Sequence, residues 1–200
     1  MTMSTNEQNR EPEKREESVN KQMKKVKTAE KHVKNYQFFL LRVILLLAVI
    51  WVLFFQVIGL THMPTGDMSP RIDLGDFVMF YRLDKNVSNK DVIVLEKETP
   101  DSEGQKQIFI CRVVALPGDT VEITENGSVK VNGNTLIEDY IYSMTMPYDG
   151  FTAYPLTLGE DECFVLADKR DSGSDSRWFG PVEKNEILGT VITIMRRNNL

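Results

Sequence analysis

Cysteine and histidine are scarce in this chain: Cys111 and Cys163, His32 and His62, in 200 residues. Two cysteines are too few for a disulfide scaffold, and leave either a single bridge or two small buried side chains. The four residues have no metal-ligand spacing, so neither a metal nor any other cofactor is expected. Positive charge is also short in the larger part of the chain. Residues 61–200 carry fourteen Lys/Arg against 23 Asp/Glu. An acidic surface repels phosphate, which excludes nucleic acid as a partner. After residue 61 there is no long amphipathic helical pattern, no internal repeat and no low-complexity stretch. Residues 1–20 are nearly empty of apolar side chains, with Met1, Met3 and Val19 the exceptions. Such a segment buries too little to offset its ordering entropy and is expected to stay disordered.

Basic charge and one apolar run fill the gap. Lys21, Lys24, Lys25, Lys27, Lys31 and Lys34 crowd residues 20–37, with Glu30 the only acid there. Residues 38–60 read FFLLRVILLLAVIWVLFFQVIGL, with Arg42 and Gln56 near the ends. About 20 residues at 1.5 Å each span a ~30 Å hydrocarbon core, and Arg42 can snorkel. A cleaved leader would have a shorter apolar region and small residues at a cut site. The run is therefore expected to be an uncleaved transmembrane helix in the cell membrane. Lysines before it and few cations after it place the N-terminus in the cytoplasm. The expected organisation is a cytoplasmic tail over 1–37, a single span over 38–60 and an extracytoplasmic domain over 61–200.

That last domain reads as mainly β. DFVMFYRL, DVIVLEKE, QIFICRVVAL, TVEITE, SVKVNG and CFVLAD are short β-branched or aromatic runs. Pro117-Gly118-Asp119, Asn126-Gly127 and Asn132-Gly133 separate them as turns. TVEITENGSVKVNG is the clearest hairpin, with Asn126-Gly127 suited to a type I′ turn.

Three segments then stand in order. The first is Pro64-Thr65-Gly66-Asp67-Met68-Ser69-Pro70, followed by Leu74-Gly75-Asp76-Phe77-Val78. The second is Cys111-Arg112-Val113-Val114-Ala115-Leu116-Pro117-Gly118-Asp119. The third is Ala167-Asp168-Lys169-Arg170-Asp171-Ser172-Gly173-Ser174-Asp175-Ser176-Arg177, with Gly180 beyond it. Across about residues 38–195 the chain resembles the type I signal peptidase family, which reads Gly-Ser-Met-x-Pro, Lys-Arg-Val-x-Gly-Leu-Pro-Gly-Asp and Gly-Asp-Asn-Arg-x-x-Ser-x-Asp-Ser-Arg. The resemblance implies a coiled β-sheet domain on one transmembrane helix. It also implies roles: a serine nucleophile where Asp67 stands, a lysine general base where Cys111 stands, and a lysine-holding serine where Gly173 stands. Thr65, with Gly66 and Met68 beside it, falls at the oxyanion-type cleft. Pro117, Gly118, Asp119, Asp168, Arg170, Asp175 and Arg177 match the family's structural positions. Ala115 and Ala167 replace glycines, and Lys169 an asparagine.

Ser–Lys hydrolysis needs a hydroxyl nucleophile and an unprotonated amine. A carboxylate at position 67 is a poor attacker and puts negative charge where an oxyanion must grow. No catalytic pair is intact on this reading. Three replacements stay open: Ser69 as nucleophile, a Cys111–His62 pair, and Asp67 with Asp168 as a carboxylate dyad. Asp67 itself is either a partly solvated carboxylate or a receptor for a basic or donor group. The resemblance implies a membrane-anchored homologue that binds an extended segment of an exported protein. Family members without the pair resemble accessory proteins of pilus assembly in Gram-positive bacteria. Pilins, and a sortase-type assembly enzyme, are the partners so implied. The alternative is an active signal peptidase with a non-standard nucleophile. Trp178-Phe179 and Phe151/Tyr154 are either partner contacts or core.

Overall fold

The computed structural model describes residues 10–139, 141, 143–148 and 151–196. The chain divides into two units, Met1–Trp51 and Val52–Leu200. The first is built on helix α1, Arg10–Val52. Residues 10–20, expected to be disordered, are helical here, while residues 1–9 lie outside the described residues. The physical reason is local. This stretch holds Glu11, Glu13, Glu16 and Glu17 with Arg10, Lys14 and Arg15, residue types that lose little on entering a helix. Met23–Val57 is, among the described residues, the one helical stretch long and apolar enough to cross a membrane.

The lower end of that stretch corrects the expected boundary. After a π-helical turn at Leu53–Val57 the chain turns extended at Ile58. Ile58–Leu60, expected to finish the span, belong to strand β1, Ile58–His62. Apolarity alone does not separate the end of a span from an edge strand. Pairing does: β1 runs antiparallel to β2, Phe77–Tyr81, with Ile58 opposite Tyr81 and His62 opposite Phe77.

The remaining strands are β3 (Val92–Glu98), β4 (Lys106–Ala115), β5 (Thr120–Ile123), β6 (Val129–Val131), β7 (Asn134–Thr135), β8 (Leu156–Thr157), β9 (Glu162–Leu166), β10 (Val182–Glu183) and β11 (Ile187–Met195). They form a seven-stranded sheet, ordered β1-β2-β11-β3-β4-β9-β10, and a four-stranded sheet, ordered β7-β6-β5-β8. The mainly β expectation holds. The six apolar runs are β2, β3, β4, β5, β6 and β9. β11 was not among them, yet it sits between β2 and β3 and pairs with both.

The expected hairpin is β5–β6, with Ile123 opposite Val129. Its turn is not type I′, which requires positive φ at both central residues. Only Gly127 has positive φ, at +78°. The Gly127 amide donates to the Thr124 carbonyl at 2.9 Å, and that of Thr124 to Ser128 at 2.9 Å. This is the longer hairpin loop, in which a turn is followed by a left-handed glycine.

Strand β4 is the centre of the domain. From Phe109 to Ala115 every residue is buried. Phe109, Cys111 and Val113 pack with Ile93, Leu95, Cys163, Val165, Phe179 and Val182. Val114 and Ala115 join Val121, Ile123, Phe164 and Leu166, residues of both sheets. Ile110 meets Met63, Met68, Ile72, Val78, Phe80 and Val94. Both cysteines are free thiols in this interior. Phe179 is buried, and Trp178 and Tyr154 pack on core clusters, while Phe151 is exposed.

Candidate functional site

The β1–β2 connection carries the first site segment. Its base is tied by two bonds, Met63 amide to Asp76 carbonyl at 2.8 Å and Gly75 amide to Met63 carbonyl at 3.0 Å. Within it Met63, Met68 and Ile72 point into the core. Met68 was expected at the cleft; instead its side chain is fully buried, and its sulfur accepts from the Asp168 amide at 3.4 Å. The burial of Met68 anchors the loop, and its neighbour Asp67 stays half-exposed. Thr65 is exposed, and the Gly66 carbonyl accepts from the Ser69 amide at 3.1 Å.

Asp67 joins this loop to the third segment, through two contacts. Its carbonyl accepts from the Lys169 amide at 2.8 Å, and its carboxylate Oδ2 from the Ser174 amide at 3.3 Å. From β4, the Cys111 thiol donates to the Ser174 carbonyl at 3.6 Å. Gly173 is buried beside them: a Cβ placed on it would lie 3.6 Å from Asp67 Cβ. The structure therefore gathers Asp67, Cys111 and Gly173 around Ser174, a residue sequence reasoning did not single out. It acts through its backbone, which no side-chain motif reports.

Space at Gly173 is tight. The same added Cβ would overlap the Ala167 methyl and stand 2.7 Å from the Lys169 carbonyl oxygen. That carbonyl already accepts from the Gly173 amide at 2.9 Å. Glycine is required here by a close approach.

Asp168, Arg170, Asp175 and Arg177 of the third segment, with Arg112 of the second, form a buried frame around this centre. Arg112 makes a two-bond clamp on Asp168, Nε to Oδ1 at 2.8 Å and Nη2 to Oδ2 at 2.6 Å. Arg170 donates to the Ala167 carbonyl at 2.7 Å, to Thr145 Oγ1 at 3.0 Å and twice to Glu138 at 2.8 and 2.7 Å. Arg177, fully buried, clamps Asp175 at 2.8 Å through Nε and Nη2, and reaches the Arg170 and Met146 carbonyls at 2.7 and 3.1 Å. It also lies over the Tyr148 ring, 4.4 Å from its centre. Burial opposes the Arg177 charge, but the hydrogen bonds and charge of Asp175 outweigh it and raise the pKa. Asp175 further accepts from the Ala167 amide at 3.0 Å. Bidentate pairing is what makes such burial tolerable. Tyr148, outside every motif, donates its hydroxyl to the Gly173 carbonyl at 2.9 Å. Pro117-Gly118-Asp119 is a turn whose Asp119 carboxylate accepts from the Leu116 amide at 2.8 Å and from Asn132 at 2.7 Å.

The electrostatics of the centre decide its chemistry. Burial, and then the carboxylates of Asp175, Asp67 and Asp168, push the Cys111 thiol well above the usual thiol range, with Arg177 alone opposing. The sulfur is thus a protonated donor near neutral pH, neither a thiolate nucleophile nor a base. His62 does not change this. It is exposed on edge strand β1, four strand positions from β4 in the sheet order, roughly 19 Å along the sheet. A shared-proton dyad of Asp67 and Asp168 is also disfavoured, because both Asp168 oxygens are held by Arg112. The Ser69 hydroxyl donates to Asp73 Oδ1 at 2.7 Å. Among the described residues, no three His, Cys, Asp or Glu side chains are grouped to hold a metal ion.

A family model described as "Signal peptidase, peptidase S26" matches residues 33–196. Relatives include a probable signal peptidase I-2 of Synechocystis sp., 29% identical over 132 residues, covering 64% of this chain and 58% of that protein. Signal peptidase I of Leptolyngbya laminosa is 30% identical over 137 residues, covering 66% and 65%. A probable signal peptidase I-1 of Synechocystis sp. is 32% identical over 156 residues, covering 75% and 76%. The matches thus span about three fifths of the length of the first two relatives. The crystal structure of a signal peptidase I from Enterococcus faecalis V583 is 29% identical, with a TM-score of 0.42, covering 54% of this chain and 97% of that one.

Proposed function

The chain belongs to the signal peptidase family, peptidase S26, and from that premise we propose that it is a non-cleaving homologue that holds an extended segment of an exported protein. The observation that carries this reading is the state of Cys111. Where the family's lysine base is expected, a buried thiol keeps its proton and donates it to the Ser174 carbonyl. Where the nucleophile is expected, Asp67 offers a carboxylate engaged by the Ser174 amide. Loss of such a unit in serine proteases costs about 10⁶ in kcat, or ~8 kcal/mol of barrier.

Binding needs neither group. Strand β1 is an edge of the large sheet, and an extended segment added along an edge is held by main-chain hydrogen bonds, with pockets reading alternate side chains. Four residues separate β1 from Asp67, and β1 follows directly on the apolar helical stretch. The target is accordingly membrane-proximal, an exported protein still tethered by its leader or sorting segment. The role in view is assistance to surface assembly, with pilins as the bound proteins and a sortase-type enzyme as the companion. The N-terminus is cytoplasmic and residues beyond the span lie outside the cell membrane.

The test is cleavage of a membrane-inserted pilin precursor by the full-length chain in lipid vesicles, beside an ordinary signal peptidase. The expected outcome is product at background even at stoichiometric amounts, with the precursor retained by the chain. Product at the leader junction would overturn the reading and turn attention to Ser69 and Cys111.

A further inference from the structure

The helical segment before the apolar run has two unlike halves. At 100° per residue, Lys21, Lys24, Lys25, Lys27, Lys31 and Lys34 fall within about half the helix circumference. Val19, Met23, Val33 and Tyr36 fall in the other half, with Glu30 between Val19 and Met23. The six lysines and the four apolar residues are exposed, the latter between 53% and 63%. Glu30 is the only acid between residues 20 and 37.

Distance makes the arrangement informative. From Lys21 to Lys34 the helix rises about 20 Å, twice the ~10 Å over which charge acts at 0.1 M salt. Standing upright from a membrane, only the last lysines would feel its surface. Lying in the interface, with α1 turned at Gln37 from the direction of the apolar run and its apolar residues down, all six would. A second copy of the chain fits the apolar half poorly. Val19, Met23, Glu30 and Val33 follow the three-and-four spacing of a helical seam, and a parallel pair would set Glu30 against its own copy.

We propose that residues 19–36 form a binding site for anionic phospholipid headgroups, with the lysine half on the phosphates and Val19, Met23, Val33 and Tyr36 seated at the edge of the acyl chains. The site lies at the membrane face where the apolar run from Phe38 enters. It depends on that run crossing a membrane, and is independent of whether the C-terminal domain cleaves anything.

Spin-labelled lipid reports on it directly. The full-length chain is reconstituted in vesicles of equal phosphatidylcholine and phosphatidylglycerol, with a trace of one or the other lipid labelled. At low salt the immobilised fraction should be about threefold larger for phosphatidylglycerol, and fall toward parity as salt is raised. Changing Lys21, Lys25, Lys27 and Lys31 together to Gln should abolish the preference while keeping helix propensity, and changing them to Arg should preserve it. Equal immobilisation of the two lipids in the unmodified chain overturns the proposal, as does a preference that survives the Gln changes. Disulfide-linked dimers of a Met23→Cys variant, without any phosphatidylglycerol preference, also overturn it by assigning the apolar half to self-association.

Discussion

The frame and the centre of the candidate site are built from neighbouring residues and treated in opposite ways. In the frame, Arg112, Arg170 and Arg177 are all buried, and each is matched by a carboxylate that it grips with two bonds. In the centre, Asp67 is half-exposed and bonded to backbone amides, and Cys111 is a neutral thiol. The frame cannot lose a partner cheaply, because each lost partner strands a charge in the interior. At Asp67 and Cys111 no charge would be stranded in this way, since the carboxylate is half-exposed and the thiol neutral, while Gly173 is constrained by space instead. Residue types that hold a loop in place and residue types that would run a reaction are therefore separable within one motif.

Breaking the frame should have the largest effect. Arg177→Ala strands Asp175 and frees the Arg170 and Met146 carbonyls; a loss of about 3–5 kcal/mol is expected, read as a lower urea midpoint of the full-length chain in detergent. Filling the centre comes next. Gly173→Ser should destabilise by about 1–3 kcal/mol, because its Cβ overlaps the Ala167 methyl. Ala167→Gly in the same chain should return part of that loss; the Lys169 carbonyl, 2.7 Å from the added Cβ, keeps the recovery incomplete. For the same reason the exchange Asp67→Ser, Cys111→Lys, Gly173→Ser should not restore cleavage in the precursor assay without Ala167→Gly.

The two thiols separate the regions by pH. Both are raised by burial, Cys163 to about 12. Their protonated form is favoured in the fold, so the stability they contribute is complete below the unfolded thiol pKa of ~8.5 and declines as pH rises through the folded values. For Cys163 the window runs from ~8.5 to about 12. Each thiol contributes a slope of up to ~1.4 kcal/mol per pH unit, and Cys163→Ala should flatten the unfolding free energy across that range. The smallest effect belongs to Asp67→Asn. It removes a charge that, among the described residues, no buried cation pairs with, and one amide bond at 3.3 Å is at stake. A change below about 1.5 kcal/mol is expected by the same urea titration. A change as large as that of Arg177→Ala would erase the distinction between frame and centre.

Strand β11 shows why part of the fold was hidden. Ile187–Met195 is interrupted by Gly189, where the register shifts, and a glycine inside an apolar run reads as a break. Pairing with β2 on one side and β3 on the other overrides that local signal. Ile58–Leu60 were misplaced for the converse reason. They continue an apolar run without any local mark, and only their register with Tyr81, Phe80 and Met79 makes them a strand. At the site, Asp67, Cys111 and Gly173 are singled out by the resemblance of the three segments to the family's pattern, and the structure brings them together around Ser174. The burial of Met68 was not legible, since the direction of a side chain in a turn depends on what lies beneath it.

The sequence by itself determined the apolar run, the mainly β composition, the acidic balance of the larger part and the three motif segments, because these depend only on residue type and spacing along the chain. The tertiary structure alone decided that Cys111 is a buried donor, that Ala167 occupies the space a side chain at position 173 would need, and that the motif arginines are held in matched pairs. Each of these is a distance between residues far apart in the chain, and packing, not local preference, sets such distances.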